Sequence, residues 1–139
     1  MSADVFEELD AEAKASYPSS PFVAVGGSSA VSAVVEEFYR RLLADPSTAG
    51  FFISLVEADG MPALKRHQVL LLAKVLGGPD RYPGRDLGVA HQGMAITAGA
   101  YQRVSLYLLT VMHEFGVPMD ILQAADSTLR DVAPTIISA

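Results

Sequence analysis

Cysteine is absent from the chain, and so is tryptophan. Without a thiol there are no disulfides, no thiolate metal sites and no thiol nucleophile. Basic residues are scarce: ten Lys and Arg stand against sixteen Asp and Glu, for a formal net charge of −6. That balance argues against a nucleic-acid backbone or an anionic membrane surface as partner. Long apolar runs are missing too. The longest, Val69 to Ala73, is cut by Lys74, far short of the roughly 18 residues that span a bilayer. The first residues, MSADVFEELDAEAK, are acidic and carry neither the basic nor the apolar stretch of a secretory signal. The expectations are therefore no membrane span, no nucleic-acid partner and a cytoplasmic setting.

What is present describes a folded chain. Half of the 139 residues are hydrophobic and 19% are charged, too apolar for disorder. A chain of ~150 residues buries roughly 68–70% of its unfolded surface, so a core is expected. No stretch alternates with the period of a strand, whereas helical stripes recur, and the predicted class is all-α. Residues 1–20 read as an N-terminal extension. In it Asp4 to Ala15 is a polar helix, broken by Tyr17-Pro18-Ser19-Ser20-Pro21 and expected to pack lightly as an arm.

Residues 21–139 read as the domain proper. Gly26-Gly27 ends a short helix, and Ser28 or Ser29 is expected to cap the next. There Val31, Val34, Val35, Phe38, Tyr39, Leu42 and Leu43 follow the rhythm of an amphipathic helix, which Asp45-Pro46 stops. A loop with Phe51-Phe52 runs to Asp59-Gly60. The following helix starts at Met61-Pro62, turns Leu64, His67, Gln68, Leu71, Leu72 and Val75 inward, and ends at Gly77-Gly78-Pro79. After a loop, Asp86 caps a short helix carrying Leu87, Ala90, His91 and Met94. Thr97 caps another, with Tyr101, Val104, Leu108, Val111 and Phe115 on one face. Gly116 and Pro118 lead into a last helix with Leu122, Ala125, Leu129 and Val132 inward and Pro134 near its end.

Several of these inward positions are polar. His67, Gln68, Tyr39 and His91 all sit on apolar stripes. Each buried polar group without a partner costs roughly 1–3 kcal/mol. His113, beside Glu114, reads as a solvated helix residue. HExxH, Walker and GxSxG motifs are absent, and the Gly-Gly pairs lack the strand–turn–helix setting of a phosphate loop. Two His without carboxylates on their faces make a weak zinc site. No CxxCH is present to attach a haem covalently. A non-covalent haem needs one axial His, an apolar pocket and polar groups beyond the iron, and this inventory supplies them.

Five segments in order sharpen that reading: FVAVGG, VVEEFYRRLLADP, GFF, MPALKRHQVLLLAKVLGGP and YPGRDLGVAHQGMAIT. From about Phe22 to Ile137 the chain resembles the truncated haemoglobins of group I. The first two segments are similar to that family's opening helices, with their Gly-Gly and Phe-Tyr pairs. The third resembles its haem-packing segment, and the last two its distal helix and proximal loop. The resemblance implies a truncated two-over-two globin fold with haem b (iron protoporphyrin IX) between distal and proximal helices. By position, His91 resembles the proximal iron ligand. Tyr39 and Gln68 resemble the distal phenol and amide that hold bound oxygen. Phe52 resembles the haem-packing aromatic, and Leu64 the apolar residue facing the ligand. Phe38, Lys65, His67, Leu72, Tyr82, Leu87, Met94, Tyr101 and Val104 are the further haem contacts it implies.

In activity the resemblance implies binding of O2 and NO, and NO dioxygenation if an external reductase donates electrons. Two alternatives stay open: a bis-histidyl, six-coordinate haem for redox or nitrite and NO chemistry, and a simple O2 carrier or sensor without turnover. The chain departs from the family pattern in three places. ISLVEADG, between Phe52 and Met61, is longer than the compact family linker. Leu71 and Leu72 stand where some members carry a Phe thought to gate a ligand tunnel. His67 stands where some relatives bring a sixth iron ligand and others a basic residue to a haem propionate.

Overall fold

The structure is a computed structural model that describes residues 2–81 and 96–137, apart from the side chains of residues 2–4, 55 and 136. All regular structure among the described residues is helical. In chain order the elements are α1 (Ser2–Ser16), α2 (Pro21–Val25), α3 (Gly27–Ala44) and α4 (Pro46–Ala49). A 3₁₀ turn (Gly50–Phe52), α5 (Ile53–Glu57) and α6 (Met61–Val75) follow, and after the undescribed stretch come α7 (Ala98–Glu114) and α8 (Met119–Ile136). Helix α3 is the hub, packing on both α6 and α7, and α7 packs on α8.

Helix α3 follows its stripe. Val31, Val34, Val35, Phe38, Tyr39 and Leu42 are all buried, while Leu43 lies at the edge, 38% exposed. Its cap differs from the expected one. Gly26 occupies the N-cap with no side-chain bond. The missing acceptor comes from α1, where Asp10 Oδ1 takes the Ser28 N–H at 2.8 Å and Oδ2 takes the Ser28 hydroxyl at 2.6 Å. An acceptor is needed because the first N–H groups of a helix have no partner within it.

The lightly packed arm expected at the N-terminus is therefore corrected. Leu9 and Ala13 of α1 are fully buried in the main core. Arg81 also reaches Glu12 at 2.6 Å and Glu8 at 3.7 Å. A Leu and an Ala one turn apart give this polar helix a small apolar edge, and that edge lies in the main core.

The expected loop around Phe51-Phe52 is a run of short helices. Asp45 closes α3 and caps α4, and Thr48, fully buried, donates to the Leu42 carbonyl at 2.6 Å. Isolated pieces this short do not hold themselves, so their order comes from these tertiary contacts. The Gly77-Gly78 stop holds: Gly77 takes a left-handed φ of 78°, and a Cβ on Gly78 would stand 2.9 Å from the Phe22 ring. Thr97 caps α7 as expected, accepting from the Ala100 N–H at 3.1 Å. The inward stripe of α7 ends before Phe115, which is 42% exposed. Helix α8 runs through Pro134 to Ile136.

Candidate functional site

Tyr39 is buried in the main core, with 3% of its surface exposed. Its ring stands edge-on to two others: Phe38 at 4.9 Å between centroids and Phe52 at 5.6 Å. Such aromatic arrangements are favourable because ring edges are positive and faces negative. The hydroxyl is set against the side chain of half-buried Gln68 on α6. Burial pushes the phenol well above its ordinary value, and the bond from Gln68 draws it partly back. Tyr39 is thus a neutral donor throughout the physiological range. The donor set of Tyr39 and Gln68 is uncharged, and Tyr39 belongs to the same apolar core as Leu72, 6% exposed. That is chemistry for a small polar ligand rather than for a bare cation. Among the described residues no three His, Asp or Glu side chains gather to hold a metal ion.

Other expected residues divide into three groups. Phe38, Phe52 and Leu72 are buried in the core that holds Tyr39, and half-buried Leu64 and Val104 pack against it. Lys65 ties α6 to α3 through Glu36 at 3.0 Å. Tyr101 belongs to a second, smaller core with Ile96, and donates from its hydroxyl to the Leu129 carbonyl of α8 at 2.5 Å; the structure does not bring it to Tyr39. Tyr82, Leu87, His91 and Met94 lie outside the described residues.

His67 corrects the expected stripe of α6. Its side chain is exposed, as is that of Val75, whereas Val69 and Ala73 are buried. The inner face is centred on Met61, Val69, Leu72 and Leu76, about one residue round from the expected stripe. The cause is the apolar run from Val69 to Ala73, which puts apolar groups on every side of the helix, so the pattern alone does not set its phase. Two polar groups bonded to each other at the start of α4, Asp45 and Tyr107, were not among the expected site residues. Tyr107 carried one signal, a hydroxyl one turn beyond Val104 that needs a partner when half-buried.

An apolar cleft runs between α3, α6 and α7, with neither Tyr39 nor Gln68 in its lining. It is lined by Val31 and Val34 of α3, Leu72 and Leu76 near the end of α6, and Met112 and Phe115 at the end of α7.

The described helices thus centre on α3, with buried Tyr39 and half-buried Gln68 on two helices that pack together. Comparison with known proteins makes that specific. The profile of the family described as bacterial-like globin matches residues 20–137. A group 1 truncated haemoglobin of Mycolicibacterium paratuberculosis is 35% identical over 119 residues, covering 86% of this chain and 85% of that protein. The two-over-two haemoglobin of Synechococcus, solved in the cyanomet state with covalently attached haem, superposes with a TM-score of 0.73 at 27% identity, covering 86% of this chain and 98% of that one. The truncated haemoglobin of Tetrahymena pyriformis in its Fe(III) form gives a TM-score of 0.73 at 25% identity, covering 86% and 99%. The chain belongs to the bacterial-like globin family, and within it to the group 1 truncated haemoglobins. Membership of that family implies a haem and a small gaseous ligand. No helix among the described residues is long and apolar enough to cross a membrane.

Proposed function

We propose that the chain binds haem b and presents Tyr39 and Gln68 to a polar diatomic ligand, O2 or NO. The observation that carries this reading is the buried Tyr39 hydroxyl paired with Gln68 inside a ring of aromatic and aliphatic side chains. Those residues fit a haem, which needs a dry pocket with donors on the ligand side. When bound, the haem supplies the iron at which a diatomic ligand is taken up. The Tyr39 hydroxyl and the Gln68 amide are the donors that this side of the pocket offers to the ligand. Phe38, Phe52 and Leu72 keep water from that donor, and the low dielectric strengthens its hydrogen bond. Leu64 gives the pocket an apolar edge. His91 is assigned as the proximal ligand. In support, the other two of the chain's three histidines, His67 and His113, are both exposed.

The activity assigned is NO dioxygenation. Nitric oxide and dioxygen, with one electron, yield nitrate, and Tyr39 and Gln68 hold the oxygen in place for the attack. The electron comes from an external reductase, since the sequence carries no flavin or nicotinamide motif. A cytoplasmic setting suits that dependence.

The experiment mixes the reduced, oxygen-saturated protein with one equivalent of NO. Nitrate equal to the protein, formed as the haem turns ferric, supports dioxygenation. Slow oxidation with little nitrate reduces the function to reversible O2 binding.

A further inference from the structure

Asp45 stands where α3 ends and α4 begins, and its carboxylate gathers four donors. Oδ1 accepts from the Ser47 N–H at 2.9 Å and from the Ser47 hydroxyl at 2.8 Å. Oδ2 accepts from the Tyr107 hydroxyl at 2.8 Å and from the Arg103 guanidinium at 3.3 Å. The side chain is 13% exposed. Capping a helix of four residues requires only the Ser47 bonds. Tyr107 and Arg103 come from α7, 62 and 58 residues along the chain, and a simple cap has no use for them.

The bonds to α7 have a consequence for the ligand pocket. Helix α4 is fixed to α3 by Thr48, through the Leu42 carbonyl, and to α7 by Asp45. The 3₁₀ turn continues directly from α4, and its last residue is Phe52. Phe52 in turn meets the Tyr39 ring edge-on, 86° between planes. Phe51, beside it, packs against both cores. A chain of contacts therefore runs from Tyr107 through Asp45 and α4 to the ring that flanks the phenol.

We infer that Asp45 is a positioning residue for the ligand site: anchored by Tyr107, it places Phe52, and through Phe52 it fixes the tilt of Tyr39. This inference rests on the proposed ligand role of Tyr39 and Gln68. The donors also keep Asp45 ionised, the Ser47 backbone N–H foremost and then Tyr107, holding it at about 2. The clamp therefore stays closed through neutral pH.

Tyr107→Phe removes the shorter of the two links from Asp45 to α7, leaving Arg103 at 3.3 Å, and keeps the Ser47 cap in place. Asp45→Asn, which also keeps an acceptor for Ser47, serves as the second variant should the first fold poorly. Both are compared with Ser20→Ala, which removes a cap elsewhere, the bond from the Val23 N–H. The full-length reduced protein saturated with carbon monoxide is diamagnetic, so one sample gives two readouts. One is the nuclear Overhauser cross-peak between the Tyr39 and Phe52 rings. The other is the C–O stretch, which donors near the ligand lower and loss of donors raises.

The expected result is a weakened or lost cross-peak and a raised stretch in both clamp variants, with neither change in Ser20→Ala. An unchanged cross-peak in both clamp variants overturns the inference. So does a lost cross-peak with an unmoved stretch, because Tyr39 is then not held through Phe52. If the unsubstituted protein shows no lowered stretch, the ligand role of Tyr39 has failed. The cross-peak alone then decides whether the clamp places Phe52.

Discussion

Replacing Tyr39 with Phe removes one oxygen atom from the centre of the pocket and little else. The ring keeps its edge contacts with Phe38 and Phe52, at 4.9 and 5.6 Å, and no cavity opens. Only the hydroxyl is lost, from a residue 3% exposed and paired with Gln68. A hydrogen bond to a charged or strongly polarised acceptor is worth about 1.5–3 kcal/mol. At 1.4 kcal/mol for each factor of ten, its removal speeds O2 dissociation roughly 10- to 150-fold. Gln68 is half-buried and free to turn to the ligand once the phenol is gone, which places the effect toward the lower end. Stopped-flow displacement of O2 from the reduced protein by carbon monoxide measures the rate. Thermal unfolding run alongside is expected to change by no more than the roughly 1 kcal/mol of one neutral hydrogen bond. The unsubstituted rate should be flat between about pH 6 and 9, because a phenol ordinarily titrates near 10 and burial pushes Tyr39 higher. A change of less than about twofold in O2 dissociation would refute the assignment of Tyr39 as the principal donor, since even ~0.5 kcal/mol exceeds that.

Three further outcomes are expected. Asp10→Ala strips the α3 N-terminus of its acceptor for the Ser28 N–H and should cost about 1 kcal/mol, seen as a Tm lower by a few degrees. His67→Ala should leave the visible spectrum of the reduced protein unchanged, because the side chain is exposed; loss of low-spin bands in that variant would show that His67 reaches the iron. Asp45 is held below its ordinary 3.8, at about 2, chiefly by the Ser47 N–H and Tyr107. Its stabilising contribution is therefore complete above about pH 4 and lost as pH falls toward about 2. Asp45→Asn should flatten acid unfolding in that window, as followed by helical circular dichroism, and an acid profile identical to the unsubstituted protein would contradict the clamp.

How far the fold could be read depended on whether each helix carried its own contrast. Helix α3 did, since charged Glu36, Glu37, Arg40 and Arg41 face away from its apolar stripe, and the inward placement of Tyr39 followed. Helix α6 did not, because five apolar residues in a row cover every side and left His67 and Val75 on the wrong face. Docking of α1 depends on contacts with partners distant in the chain: Asp10 with Ser28, 18 residues on, and Glu12 with Arg81. A local pattern holds no trace of them. The same is true of α4 and the 3₁₀ turn, whose order comes from Thr48 on Leu42 and Asp45 on Tyr107. Of the expected site, the distal residues Tyr39, Gln68, Phe38 and Phe52 come together because they lie on or beside the α3–α6 contact. Tyr101 packs in the smaller core, where the Leu129 carbonyl of α8 satisfies its hydroxyl.

The visible absorption spectrum of the protein, loaded with haemin and reduced under argon, tests the central claim most directly. The expected result is a Soret band with a single broad visible band, meaning that haem is held and that the position beside Tyr39 and Gln68 is open to a ligand. Split low-spin bands would contradict the open site, and the absence of any Soret band would contradict haem binding altogether.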